Sequence, residues 1–265
     1  MERRVFLSVL GSAALANSLP AFAQADRFET LLHQIQNDPE MVEHSWIYRD
    51  KTGARGVPHG KPSKRLLSQR SIDLIVACEV ASEAVYKAKY QRPIWPKGQS
   101  GVTIGVGYDL QSANAAIIDR DWPMLSVDDR ALLTSVAALK GPAAKAALPR
   151  VQSVEISWSD AYSQFLAFLR YPTKQTEDAF PNCGMLSDDS FGALVSLVYN
   201  RGPSTHNNKS RKEMYEIKQL MAAEQFDKVP DRIRAMKHLW PGPDQRGLPI
   251  RREAEAALFE RGRRA

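Results

Sequence analysis

Apolar residues recur along most of this chain at helical spacing, and in one short stretch they alternate instead. After Asp26, a residue suited to capping a helix, Phe28, Leu31, Leu32 and Ile35 fall on a single face. From residue 37 to 68 the pattern dissolves into Lys51-Thr52-Gly53, Gly56, Pro58, Gly60 and Pro62, the composition of a loop. Ser71 then caps SIDLIVACEVASEAVYKAKY, which reads as one long amphipathic helix. The alternating stretch is SGVTIGVGYDL, residues 100–110. There Val102, Ile104, Val106 and Tyr108 share one side, and Thr103, Gly105, Gly107 and Asp109 share the other. Extended, Thr103 and Asp109 would stand ~20 Å apart, but Gly105 and Gly107 tolerate positive φ and predict a bend that returns Asp109 toward Thr103. Residues 112–170 predict several helices punctuated by Pro123, Gly141-Pro142 and Pro149. Ser187-Asp188-Asp189 opens a helix that is apolar nearly all round from Phe191 to Tyr199 and must therefore be buried, with Gly202-Pro203 as its stop. Further helices are predicted near 211–225, 230–240 and 250–260. Many helices against one short sheet predict an α+β fold, mostly helical.

Composition adds most at the start of the chain. With 265 residues, 43% of them apolar, there is enough material for one globular domain with a real core, which excludes a disordered or fibrous class. Residues 1–25, MERRVFLSVLGSAALANSLPAFAQA, place Arg3 and Arg4 before an apolar run and a small-residue Ala-x-Ala pattern. That arrangement predicts an export signal cleaved after Ala23 or Ala25, and the paired arginines resemble a twin-arginine leader. The run is too short to cross a bilayer as a mature helix, so no stable membrane insertion is expected. The predicted organisation is a leader at 1–23, an N-terminal arm and linker at 24–65, and a main domain at 66–262. Without residues 1–23 the net charge falls from +6 to +5, which suits an anionic polymer such as cell wall. Lysine and arginine runs interleaved with aromatics are missing, which argues against nucleic acid. The two cysteines, Cys78 and Cys183, predict a disulfide in an oxidising compartment, closing a long loop for ~4 kcal/mol.

On the helix from Ser71, Ile72, Ile75, Val76, Glu79, Glu83 and Tyr86 form one stripe, so two glutamates stand among apolar side chains. A carboxyl desolvated in this way keeps its proton to higher pH, as a general acid requires; the alternative is a glutamate that reaches water at the stripe's edge or pairs with arginine. Periodicity does not choose between Glu79 and Glu83. Other constellations are weaker. Gly105-Val106-Gly107 lacks the third glycine of a dinucleotide motif. His33, His44, His59, His206 and His238 show no ligand spacing, so neither metal nor cofactor is expected. Cys183 with His206 or His238 as the nucleophile and base of a wall peptidase is disfavoured by the pattern described next.

Glu79-x6-Tyr86, followed by Gly101-Val102-Thr103-Ile104-Gly105-Val106-Gly107, resembles the opening of the phage-type lysozymes, glycoside hydrolase family 24. ALVSLVYNRG, residues 193–202, is similar to that family's buried helix ending in aromatic-Asn-x-Gly. LPIRREAEAALF, residues 248–259, is similar to its terminal Asn-Arg-Arg-x-Ala-Glu helix, with Ile250 in place of asparagine. The resemblance spans roughly residues 66–262. It departs at one point: there is no Asp or Glu between Glu83 and Thr103, and the aspartate instead follows the strand as Asp109, as in the pesticin-like branch of the lysozyme superfamily.

The resemblance implies a two-lobed lysozyme-like fold with a small β-hairpin lobe, and a monomeric muramidase, periplasmic or secreted, that hydrolyses the β-1,4 bond between N-acetylmuramic acid and N-acetylglucosamine. It implies Glu79 as acid, Thr103 and Asp109 as its partners, and Gly105, Gly107, Tyr108 and Asn200 as substrate contacts. It further implies that Arg251 or Arg252 pairs with the glutamate. A water-wide gap between the two carboxyls predicts inversion. A lytic transglycosylase, which needs the acid alone, and a non-catalytic peptidoglycan-binding module are the alternatives.

Overall fold

The computed structural model describes residues 26–47 and 60–264. The leader predicted at 1–23 and the loop signals at 51–58 lie outside the described residues. Helices dominate. They are α1 (Arg27–Gln36), α2 (Pro39–Ile47), α3 (Gln69–Val80), α4 (Glu83–Lys89), α5 (Ala115–Asp121), α6 (Val127–Thr134), α7 (Gly141–Ala147), α8 (Trp158–Ala179), α9 (Asp188–Arg201), α10 (Lys212–Ala222), α11 (Val229–Ala235) and α12 (Gly247–Arg264). Between α4 and α5 lies an antiparallel pair of two-residue strands, β1 (Thr103–Ile104) and β2 (Tyr108–Asp109). The fold is therefore α+β and mostly helical.

The buried helix is α9. Ser187 caps it by accepting from the Ser190 amide, and every residue from Ser190 to Arg201 is buried, because α3, α8 and α12 all pack on it. α12 packs most extensively against α9 and also meets α1, α2, α3 and α11, so the chain's last helix fills the centre of the helical assembly.

Three expectations are corrected here. The stretch 71–90 is two helices rather than one. α3 is capped by Ser68, whose hydroxyl accepts from Ser71 N; it ends at Val80, and α4 restarts from Ser82. Between them Ala81 sits at φ 62, ψ −62, with Ser82 N donating to Val80 O at 2.8 Å, a tight γ-turn that L residues enter only under strain. The break carries Glu83 off the apolar stripe: it starts α4 half-exposed and pairs with Lys87. Glu79 stays on the stripe, fully buried.

The second correction concerns the arm. Residues 39–47 are helical rather than loop, with Pro39 at the first position and Asp38 accepting from Met41 N at 2.9 Å. Phe28, Leu32, Ile35, Met41, Val42 and Trp46 join the same hydrophobic core as the residues after 66. Side chains of that size contribute roughly 1.5–3 kcal/mol each when fully buried, so α1 and α2 are integral to the domain. The third correction is the disulfide. Cys78 and Cys183 are both free and buried, and burial pushes each thiol up to about 12. Cys183 Sγ turns back on its own chain, 3.2 Å from Phe180 O, while Cys78 lies deep on α3.

Candidate functional site

The alternating stretch becomes a hairpin because two glycines let it. Gly105 and Gly107 lie at φ 55 and φ 72, and Gly107 N donates to Gly105 O at 3.0 Å, so the chain reverses within three residues. A side chain at Gly105 would also collide with the Trp122 ring, 2.6 Å from where its Cβ would stand. The reversal sets the register Thr103↔Asp109 and Ile104↔Tyr108. Opposed residues in an antiparallel pair have Cα atoms ~4.5–5.5 Å apart and side chains on a common face, so Thr103 and Asp109 are neighbours. Thr103 is held on its other edge by Ile94, through bonds of 2.8 and 2.9 Å between their backbones.

One small cavity gathers the central residues. Glu79 and Val80 at the end of α3, Thr103, Gly105 and Gly107 of the hairpin, Tyr90, Ile94 and Pro96, and Trp46 of α2 line a cavity of only about 10 Å³, room for roughly one water. The Trp46 and Tyr90 rings meet edge to face at 5.4 Å, and the Tyr90 hydroxyl donates to Glu43, which fixes that wall. Trp46 was not singled out from sequence; its spacing from Met41 and Val42 on a helix begun by Asp-Pro-Glu is the signal that could have found it.

Behind Glu79 lies a buried ionic network. Arg251 Nη1 donates to Glu79 Oε1 at 3.0 Å, its Nε to Glu255 Oε1 at 3.1 Å, and its Nη2 to the backbone oxygen and hydroxyl of Ser196 at 3.1 and 3.2 Å. Arg252 Nη2 donates to Glu255 Oε1 and to Asn200 Oδ1, both at 3.0 Å. All four charged side chains are 3% exposed or less. Burial works against the charge on Arg251, but Cys78, Glu79 and Glu255 more than offset it and raise its pKa; Arg252, with burial and two cationic neighbours against it, falls to about 10. Of the two arginines that the resemblance offered, Arg251 is the one paired with Glu79. Glu255 was missed in the sequence reading, although a glutamate four residues after Arg251 on an apolar helix is the signal for it.

Two charges of each sign taken from water do not repay their desolvation by mutual attraction unless every hydrogen bond is made. Here Arg252 Nε and Nη1 and Glu255 Oε2 are buried without partners among the described residues. Packed apolar residues of equal volume are often as stable as such a network or more so, which makes it a candidate for a role other than stability.

The remaining sequence-predicted residues fall outside the cavity lining. Asp109 is half-buried beside Thr103, and its carboxylate accepts from Gly101 N at 3.1 and 3.3 Å, from Gln111 N at 2.9 Å and from Gln111 Nε2 at 2.8 Å. Gly101 has no side chain where a Cβ would come within 2.4 Å of Asp109 Oδ1, which is what admits the carboxylate. Tyr108 does not reach the cavity: its ring packs against Trp122 and Phe168, and its hydroxyl donates to Asp121 at 2.7 Å. Tyr108 belongs to the opposite face of the hairpin, paired with Ile104, and serves the core. Asn200 is buried with its side-chain oxygen on Arg252, so it braces the network rather than opening toward a ligand.

A protein family described as Domain of unknown function (DUF8812) matches residues 82–178. That segment holds the hairpin with Thr103, Gly105, Gly107 and Asp109, and leaves out Glu79, Arg251 and Glu255. No curated protein matches the chain. Among the described residues no helix is long and apolar enough to cross a membrane, and no three His, Cys, Asp or Glu side chains gather as a metal site.

Proposed function

We propose that this chain is a lysozyme-type glycoside hydrolase acting on peptidoglycan, with the helices as one lobe and the β1–β2 hairpin at the other. The observation that carries the reading is the meeting in the lining of one cavity of a fully buried, arginine-paired glutamate, Glu79, with Thr103 and two glycines. Glu79 protonates the leaving glycosidic oxygen. Asp109, beside Thr103, holds water on the far face of the sugar, and a carboxyl separation of roughly 6.5–9.5 Å gives inversion. Gly105 and Gly107 carry no side chain that would keep a sugar off the backbone. A glycan strand is larger than the cavity, so binding parts the Trp46 wall from the loop that carries Ile94 and Pro96. Peptidoglycan is the partner, reached after export through the leader at 1–23.

One observation favours a second reading. Both oxygens of Asp109 are already engaged by Gly101 and Gln111, which suits a lytic transglycosylase working with Glu79 alone. Dye release from labelled peptidoglycan by residues 24–265, with Glu79→Gln and Asp109→Asn alongside, tests the proposal. The wild-type chain releases dye, and Glu79→Gln loses about 10²-fold or more. Mass spectrometry of the products then decides between the readings: hydrated reducing ends mean hydrolysis, anhydro ends mean transglycosylation. Binding to sacculi without release refutes both enzymatic readings in favour of a binding module.

A further inference from the structure

The ionic network behind Glu79 has more parts than a single ion pair needs. Glu255 Oε1 is the hub: it accepts from Arg251 Nε at 3.1 Å, from Arg252 Nη2 at 3.0 Å and from the Ser196 hydroxyl at 2.7 Å. Ser196 closes the ring, because its hydroxyl and its backbone oxygen both accept from Arg251 Nη2. The guanidinium is thus held along two of its nitrogens by groups of α9 and α12, and only Nη1 is turned to Glu79. An arginine free to choose would offer a carboxylate two parallel N–H donors.

We propose that Glu255 is a positioning residue of the candidate site: with Ser196 it holds Arg251 so that this guanidinium offers Glu79 one N–H rather than a two-pronged clamp. The assignment rests on the reading of Glu79 as the reacting carboxyl only for its consequence in catalysis. A carboxyl clamped by a buried guanidinium gives up its proton far below neutral pH and cannot serve as an acid; a like charge beyond the arginine, and a donor withheld, both move it the other way. Glu255 supplies both. Among the described residues, further titratable or charged groups near Glu79 are Arg252 and Glu255 on α12, Cys78 on its own helix, Tyr90 with Glu43 across the cavity, and Asp109 opposite Thr103 on the hairpin. Of these, Arg252 and Glu255 alone share the Arg251 network.

The test follows the Glu79 carboxyl by carbon NMR on the folded chain with labelled glutamate, its signal identified by its loss in Glu79→Gln. In Glu255→Gln the Glu79 titration midpoint is expected to move down by roughly one pH unit or more. Where wall cleavage is measurable, the basic limb of the kcat/KM profile moves down with it. Glu255→Gln leaves one uncompensated buried cation and can fail to fold, so Arg252→Met/Glu255→Gln, which keeps the network neutral, is measured beside it and is expected to shift in the same direction. A midpoint that stays in place or rises in a folded variant overturns the proposal. Failure of the wild-type chain to cleave peptidoglycan would sink the muramidase reading and leave this titration result standing by itself.

Discussion

Replacing Arg251 by Met removes a cation from the centre of the molecule while keeping its aliphatic bulk. Arg251 makes four hydrogen bonds, one of them to Glu79; without it, Arg252 still accompanies Glu255, but Glu79, at 0% exposure, loses the cation 3.0 Å from its carboxylate. Breaking a buried pair in this way costs ~3–5 kcal/mol, a large part of the ~5–15 kcal/mol by which a domain is stable. The cost depends on pH. In the variant, the buried Glu79 carboxyl has lost the Arg251 cation and binds a proton more readily, so its folded pKa rises above the unfolded value of ~4.3. The folded state then holds more protons than the unfolded one, and stability falls as pH rises through that window by up to ~1.4 kcal/mol per unit. Urea unfolding followed by far-UV circular dichroism measures this directly. Arg251→Met is expected to lose most of the ~3–5 kcal/mol near pH 7.5 and to recover at least ~1 kcal/mol of it near pH 5.5, relative to the wild-type chain at each pH. A deficit under ~1 kcal/mol, or one equal at both pH values, would show that the pair is not the buried, mutually compensating contact described above.

Three further outcomes follow from other parts of the fold. Gly105→Ala places a Cβ at φ 55 and 2.6 Å from the Trp122 ring, so thermal unfolding should show a loss of ~2–4 kcal/mol, strain and overpacking together; an unchanged melting temperature would contradict the hairpin geometry. Ala81→Gly relieves the γ-turn between α3 and α4 and should stabilise the chain by up to ~1 kcal/mol in denaturant titrations, whereas a destabilised variant would mean that the turn is unstrained. Both thiols should be silent to a thiol reagent in the folded chain and react fully in denaturant without reductant; a reagent count below two per chain would restore the disulfide.

Periodicity, capping and turn chemistry are local properties, and they were legible wherever local forces decide. The all-apolar stretch 191–199 had to be buried, Ser187 and Gly202 had to bound it, and Gly105 with Gly107 had to bend the strand, because no neighbour is needed to make those statements true. The carboxyl at 79 was visible as a charge in an apolar stripe. What pattern alone left open was whether 79 or 83 is the buried one, since that turns on a backbone break at Ala81 that a helical wheel does not contain. Long-range packing decided the rest. Arg251 rather than Arg252 faces Glu79, and Glu255 and Ser196 hold it, because α12 lies across α3 and α9 at one particular rotation. Tyr108 and Asn200 were turned inward by aromatic and ionic neighbours 14–60 residues away in the chain. Trp46 reached the cavity because its helix docks on α3 and α12, and the cysteines stayed apart because each is buried in its own surroundings. A sequence states which side chains must leave water; which of them then meet is settled by how the helices pack.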